Sequence, residues 1–179
     1  MTLGQSDRLR SAQRASLVLV FSLLGLFQVF EWFGLVVNTS PSLPIGLYIR
    51  TRDANANLVE FCPAEPFATL AVRRGYREAG NCPDGAAPLL KPVVAMSGDL
   101  VEFSANGITV NGVLLRNTAP LPRDTKGRPL EAWPSGSYFI ARGTVWVASS
   151  YNPRSFDSRY FGPVSAAAIR HHVKPLLVL

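Results

Sequence analysis

A mainly β domain behind a single N-terminal apolar segment is the architecture this sequence predicts, and three observations carry it. Fourteen glycines and fourteen prolines in 179 residues imply frequent turns, which suits short strands better than a helical bundle. Short runs rich in Val, Ile, Leu, Phe and Tyr recur after residue 45, separated by Asn-Gly, Arg-Gly and Gly-Asp punctuation. Ala15–Val37 is apolar apart from Ser16, Ser22, Gln28 and Glu31. An apolar content of 47% with 17% charged residues is that of a folded chain, not a disordered one.

The apolar segment comes first. At about 1.5 Å per residue it spans roughly 34 Å, enough for a bilayer core of about 30 Å. It is too long for the apolar part of a cleaved signal peptide, and no small-x-small site precedes Asn38. Glu31 stands beside Trp32 and Phe33, where an interfacial aromatic belt is expected. Arg8, Arg10 and Arg14 precede the segment, opposed only by Asp7. By the positive-inside rule residues 1–14 are cytoplasmic, 15–37 form one transmembrane helix, and 38–179 form an extracytoplasmic β-rich domain. The net charge of +6 fits a surface facing anionic lipid headgroups. No helix-turn-helix, zinc-finger spacing or aromatic-interleaved basic run points to nucleic acid.

Asn38–Tyr48 reads Asn-Thr-Ser-Pro-Ser-Leu-Pro-Ile-Gly-Leu-Tyr. Pro41 biases Ser40, and Pro44 biases Leu43, away from the α region. In an extended chain Ser40 and Ser42 then face one side, one as nucleophile and the other as oxyanion donor. The plain alternative is a linker. Gly46–Arg50 and Leu58–Phe61 read as strands around a polar turn. Cys62 and Cys82, the only cysteines, suit a disulfide in an oxidising compartment, which stabilises by about 3 kcal/mol in the chain-entropy model. Two buried thiols are the alternative. The stretch 63–83, with Arg73, Arg74 and Arg77, reads as a surface excursion. His171 and His172 are adjacent and on a strand point apart, so no metal site or other cofactor is expected.

Leu89–Met96 is the next strand. Its alternation puts Lys91 on one face with Leu89, Val93 and Ala95. Burial lowers a lysine pKa, and a neutral amine can act as a general base; otherwise the lysine snorkels from a half-exposed strand. Ser97-Gly98-Asp99 turns the chain. Leu100–Ser104, Ile108–Val110 and Val113–Leu115 follow, with hairpin signals at Asn106-Gly107 and Asn111-Gly112. The stretch 117–135 is an irregular connection rich in Pro and charge. Ser137–Ala141 and Thr144–Ala148 flank Arg142-Gly143 as a further hairpin. The polar stretch 149–162 holds Asn152, Arg154, Ser155, Asp157, Ser158 and Arg159.

Three of these pieces together resemble the type I signal peptidase family, whose members use a Ser–Lys dyad. Ser40-Pro41-Ser42-Leu43-Pro44 is similar to the family's Ser-Gly-Ser-Met-x-Pro. Lys91 through Gly98-Asp99 is similar to its lysine box, and Ser155-Phe156-Asp157-Ser158-Arg159 through Gly162 keeps the second half of its last box. The serine motif is one residue shorter, Leu43 replaces methionine, Pro92 follows the lysine, and the Gly-Asp before the last box is missing. The pattern Asn-x-Ser-x-Ser-x-Pro-x-Gly-x-Tyr is associated with the conjugative-transfer, TraF-type branch, which matures pilin subunits and in some members joins pilin ends into a circle.

The resemblance implies a signal-peptidase-like β domain on one transmembrane helix at the bacterial inner membrane, with its catalytic part in the periplasm. It implies Ser42 as nucleophile, Lys91 as base, Ser40 and the Ser42 N–H as oxyanion hole, and Ser155 as the group that orients the lysine. Asp157 and Arg159 are then an ion pair bracing that loop, with Asp157 as rival triad acid, and Asp99 is auxiliary. The implied partners are inner-membrane lipid and a polypeptide, either a pilin precursor or a signal-peptide-bearing one. A general signal peptidase and a non-catalytic envelope assembly module are the other readings.

Overall fold

A computed structural model of the protein describes residues 10, 13–14, 16–22, 25 and 32–179. Two compact units divide the chain, Met1–Val36 and Val37–Leu179. Residues 15, 23–24 and 26–31 of the expected 15–37 span lie outside the described residues, and among those described no helix is long and apolar enough to cross a membrane. The described residues 10, 13–14, 16–22, 25 and 32 are helical. The expected helix does not run to Val37, because Leu35–Asn38 is a strand, β1. Gly34 takes φ +67°, the left-handed conformation that stops a helix, and β-branched Val36 and Val37 then favour the extended chain.

The second unit is mainly β. Its elements are β2 (Gly46–Thr51), β3 (Leu58–Phe61), α1 (Phe67–Arg73), β4 (Leu89–Ala95), β5 (Leu100–Ser104), β6 (Gly107–Val110), β7 (Val113–Leu114), β8 (Gly136–Phe139), β9 (Thr144–Val147), α2 (Ser158–Phe161), β10 (Val164–Ser165) and β11 (Ile169–Val178). A seven-stranded sheet runs β1-β2-β11-β3-β4-β9-β10, and a four-stranded sheet runs β7-β6-β5-β8. Strand β11 carries no simple alternation, since His171, His172, Lys174 and Pro175 interrupt it. It nonetheless separates β2 from β3, pairing antiparallel with both.

Two buried clusters fill the unit. One gathers Val59, Phe61, Ala71, Leu89, Val147, Phe156, Tyr160, Phe161 and Val164. The other gathers Ala95, Val101, Phe103, Ile108, Ile140, Trp146 and Ala148. Strand β4 feeds both, with Leu89 in the first and Ala95 in the second. The register shift between Val93 and Ala95 re-aims the strand from one to the other. Lys91, paired with Val59, lies between Leu89 and Val93 on the face that packs into the first cluster.

Several expectations are corrected here. The stretch 63–83 is not all surface: α1 buries Ala68 and Ala71, and Arg77 is buried in an ion pair with Asp84. The Cys62–Cys82 disulfide is present. Arg142-Gly143 does not close a hairpin, because β8 pairs with β5 while β9 pairs with β4 and β10; the chain changes sheets there. Asn111-Gly112 closes its hairpin with φ of +48° and +83°. At Asn106-Gly107 the turn slips one residue, to Ala105-Asn106, with Gly107 already paired to Ser104. A Cβ on Gly107 would lie 2.6 Å from Thr118 Oγ1, so this glycine makes room for the connection packed against it. Residues 117–135 are irregular, held by Asp124, which accepts from Tyr76 and Arg128.

Candidate active site

The segment joining β1 to β2 is built by residues two apart. Asn38 is buried, and its Nδ2 donates to Ser40 O and Pro44 O at 3.0 Å and to Leu43 O at 3.4 Å. Its Oδ1 accepts from the Ser40 amide at 3.2 Å. One side chain therefore replaces the backbone hydrogen bonds that this proline-broken stretch cannot make with a neighbouring strand. Tyr48 donates its hydroxyl to Pro44 O at 2.7 Å from the other end. Gly46 lets β11 come close, since a Cβ there would lie 2.2 Å from Leu177 O. The motif from Asn38 to Tyr48 thus specifies a folded turn and its seat. The extended geometry expected at Ser40–Ser42 is not what forms, as Pro41 and Ser42 lie in a turn. The hydroxyls still converge, Ser40 Oγ lying 2.9 Å from Ser42 Oγ, because Asn38 folds the segment around them.

Lys91 reaches this turn from β4. Its Nζ lies 2.6 Å from Ser42 Oγ and, as an ammonium, donates to it; deprotonated, it aims a lone pair at the serine proton. Both side chains are buried, Lys91 4% and Ser42 5% exposed. Burial brings the lysine pKa down to about 8, Asp157 acts to raise it, and Arg159 acts to lower it. At pH 7 about a tenth of the amine is then unprotonated, far more than an exposed lysine achieves.

Asp157 and Arg159 are fully buried and paired, Arg159 Nε donating to Oδ1 and Nη2 to Oδ2, each at 2.8 Å. Burial acts to lower the Arg159 pKa, but the Asp157 hydrogen bond and charge outweigh it and hold it above its ordinary value. The guanidinium also donates to Asn117 O and Pro153 O, tying the last box to the 117–135 connection. Asp157 also accepts the Ser149 amide at 3.0 Å and caps α2 through the Arg159 amide. Its bonds go to Ser149 and Arg159 and none reaches Lys91, so it acts on the amine through its field. Ser155 is buried, but its hydroxyl makes no hydrogen bond, so the expected orienting hydrogen bond to Lys91 is not formed. Asp99 accepts from the Met96 amide and Asn111 Nδ2, which assigns it to the turn after β4.

Three contributors had no assigned role in the sequence reading: Asn38, Tyr48 and Ser149. The first two lay inside the quoted motif, and only their partners reveal what they do. Ser149 lay outside every motif.

The arrangement can generate a serine alkoxide equivalent. Neutral Nζ is within proton-transfer distance of Ser42 Oγ, and the neighbouring donors are the Ser40 hydroxyl and the Ser42 amide, which now rests 3.4 Å from Ser40 Oγ.

Comparison with known proteins gives the chain its family. Residues 9–176 match the model of the signal peptidase family, peptidase S26. A plasmid transfer protein TraF from Escherichia coli is 37% identical over 147 residues, covering 80% of this chain and 83% of that protein. A probable conjugal transfer protein TraF from Sinorhizobium fredii is 39% identical over 144 residues, 77% of this chain and 74% of its own. A conjugal transfer protein TraF from Agrobacterium fabrum is 33% identical over 148 residues, 80% of this chain and 82% of its own. Among solved structures, a signal peptidase I from Enterococcus faecalis aligns with 69% of this chain and 97% of its own, at 16% identity and a TM-score of 0.36. The chain belongs to the peptidase S26 family of signal peptidases.

Proposed function

We infer that this member of the peptidase S26 family is a serine endopeptidase in which Ser42 is the nucleophile and Lys91 the general base, and that it matures a pilin precursor for conjugative transfer. The observation that carries the reading is the buried amine, brought to a pKa of about 8 and 2.6 Å from a serine hydroxyl. The conjugal-transfer names of relatives at 33–39% identity support the substrate class.

Neutral Lys91 takes the Ser42 proton as Oγ attacks the scissile carbonyl. The oxyanion of the tetrahedral intermediate accepts from the Ser42 amide and the Ser40 hydroxyl; removing one such donor typically costs about 10²–10³-fold in kcat. The new ammonium gives its proton to the departing amine, leaving an acyl group on Ser42. Water, activated by the same amine, releases a linear product. An amine of the same polypeptide in place of water would release a circle. A lysine needs no carboxylate to set a tautomer, so Asp157 is a brace and a field, not a triad acid. The domain works in the periplasm, tethered to the inner membrane by the apolar segment that precedes β1, a placement that the arginines at 8, 10 and 14 and the disulfide support.

Co-expression of the full chain with pilin precursors of conjugative plasmids tests this, read by intact mass. Wild type should shorten its precursor and Ser42→Ala should leave it whole. Processing by Ser42→Ala would overturn the reading, and a uniformly linear product would remove the circular branch. Efficient removal of ordinary secretory signal peptides, with propilins untouched, would assign it to general secretion instead.

A further inference from the structure

The two peptide groups on either side of Ser42 are both gripped by one short loop. Ser149 is fully buried, and its hydroxyl donates to the Ser42 carbonyl at 2.5 Å. The same oxygen accepts from the amides of Tyr151 at 3.1 Å and Asn152 at 3.2 Å. Three residues on, Asn152 Nδ2 donates to the Pro41 carbonyl at 3.1 Å. The Pro41 carbonyl shares its peptide plane with the Ser42 N–H, and in a trans peptide the two point in opposite directions. Holding the carbonyl therefore aims the amide. Holding the next carbonyl fixes the plane on the far side of the Ser42 Cα, so the direction of its Cα–Cβ bond is set from both sides. The loop is anchored in turn, since the Ser149 amide is held by Asp157 and Asp157 by Arg159.

We propose that Ser149 and Asn152 form a positioning clamp on the nucleophile turn: Ser149 keeps Ser42 Oγ on Lys91 Nζ, and Asn152 keeps the Ser42 N–H aimed at the oxyanion position. The proposal rests on the serine-peptidase reading above. Neither residue touches the reacting atoms. The clamp also gives the Asp157–Arg159 pair a mechanical route to the nucleophile, through the Ser149 backbone, separate from its field at Lys91. An attacking oxygen displaced by about 1 Å is enough to lose roughly 10²-fold in rate, and Asn38 and Tyr48, which hold the turn from within, leave the Ser42 carbonyl itself unheld.

The test uses the full chain in detergent with a conjugative propilin and, as second probe, a fluorogenic Ala-x-Ala peptide. Ser149→Ala and Asn152→Ala should each lower kcat by about ten- to a hundredfold with KM nearly unchanged, and the pH midpoint of kcat should stay where wild type has it. Ser149→Thr, which restores a hydroxyl, should recover most of the loss. All rates are read below each variant's own melting transition. If Ser149→Ala does not fold, Ser149→Cys takes its place, and its weaker donor should give an intermediate kcat. Wild-type kcat in Ser149→Ala or Ser149→Cys, or a loss confined to KM, overturns the clamp. Ser42→Ala run alongside separates the two failures: if it cleaves, the peptidase reading itself falls, and if wild type cleaves neither probe both fall together.

Discussion

Asp124 and Lys91 are both buried ionisable side chains, but their surroundings differ in kind. Asp124, 5% exposed at its side chain, accepts from Tyr76 and Arg128 at 2.6 and 2.7 Å and from the amides of Lys126 and Arg128 at 2.9 Å. Burial acts to raise its pKa, but the hydrogen bonds outweigh burial and hold it well below the carboxylate range. Lys91, 4% exposed, has Ser42 as its hydrogen-bond partner among the described residues, and the carboxylate it senses is already committed to an arginine. Its charge is left under-compensated, and its pKa falls to about 8. Full pairing makes a buried charge permanent and structural. Deliberate under-pairing makes one that is given up near neutral pH. The difference lies in partners as well as in depth, since Asp124 is half-buried as a residue and Lys91 is buried.

The sharpest way to break this comparison is to remove the under-paired group. Lys91→Ala should cut precursor cleavage by about 10²–10⁴-fold while the protein stays folded, as judged by circular dichroism. Near-normal turnover would show that another group takes the Ser42 proton. Next comes the neighbouring ion pair. Asp157→Asn leaves Arg159 buried without its counter-charge and should cost about 3–5 kcal/mol in stability. Because Asp157 acts to raise the Lys91 pKa, the midpoint of the pH–rate profile should also move to lower pH. A midpoint unmoved or raised would contradict the electrostatic assignment.

Stability against pH gives a third comparison. The Lys91 pKa is about 8 in the folded protein against 10.5 ordinarily, so between these values the unfolded chain holds a proton that the native state has released. Stability should rise with pH across that window, by about 3 kcal/mol from this group alone, and the penalty should be fully present below pH 8. Lys91→Met has no such term, so denaturation of the two proteins should converge or cross as pH rises from 8 to 10.5. Parallel curves would mean that the lysine is not desolvated. The smallest expected effect on catalysis is at the fully paired site: Asp124→Ala should lower the melting temperature and leave kcat per folded molecule unchanged.

Chemistry was more legible in the sequence than architecture. Ser42 and Lys91 are each ambiguous alone, as a linker serine and a snorkelling lysine, and it is the resemblance of their boxes to one family that joins them; the structure places their side chains 2.6 Å apart. The strands at Leu58–Phe61 and Leu100–Ser104 were readable to the residue, since their apolar runs are bounded by turn chemistry. Strand β11 was not. Its histidines, lysine and Pro175 hide a strand whose formation depends on β2 and β3, which come more than 100 residues earlier. The Arg142-Gly143 turn looked local but joins two sheets, and its flanking strands find partners elsewhere. Helix α1 is illegible because Phe67–Arg73 makes only two turns, too short for its apolar residues Phe67, Leu70 and Ala71, which pack against the first core, to read as a periodic stripe. Ser149 is the instructive omission: one serine among many, distinguishable only through the carbonyl it holds.

The central claim is that Lys91 is poised to lose its proton near neutral pH. Lys91, Lys126 and Lys174 are the chain's lysines, so nitrogen-15 NMR of the side-chain amines yields a spectrum simple enough to titrate, with Lys91→Met assigning the signal. The Lys91 resonance should titrate with a midpoint near 8. A Lys91 midpoint near 10.5, the ordinary lysine value, would contradict the account.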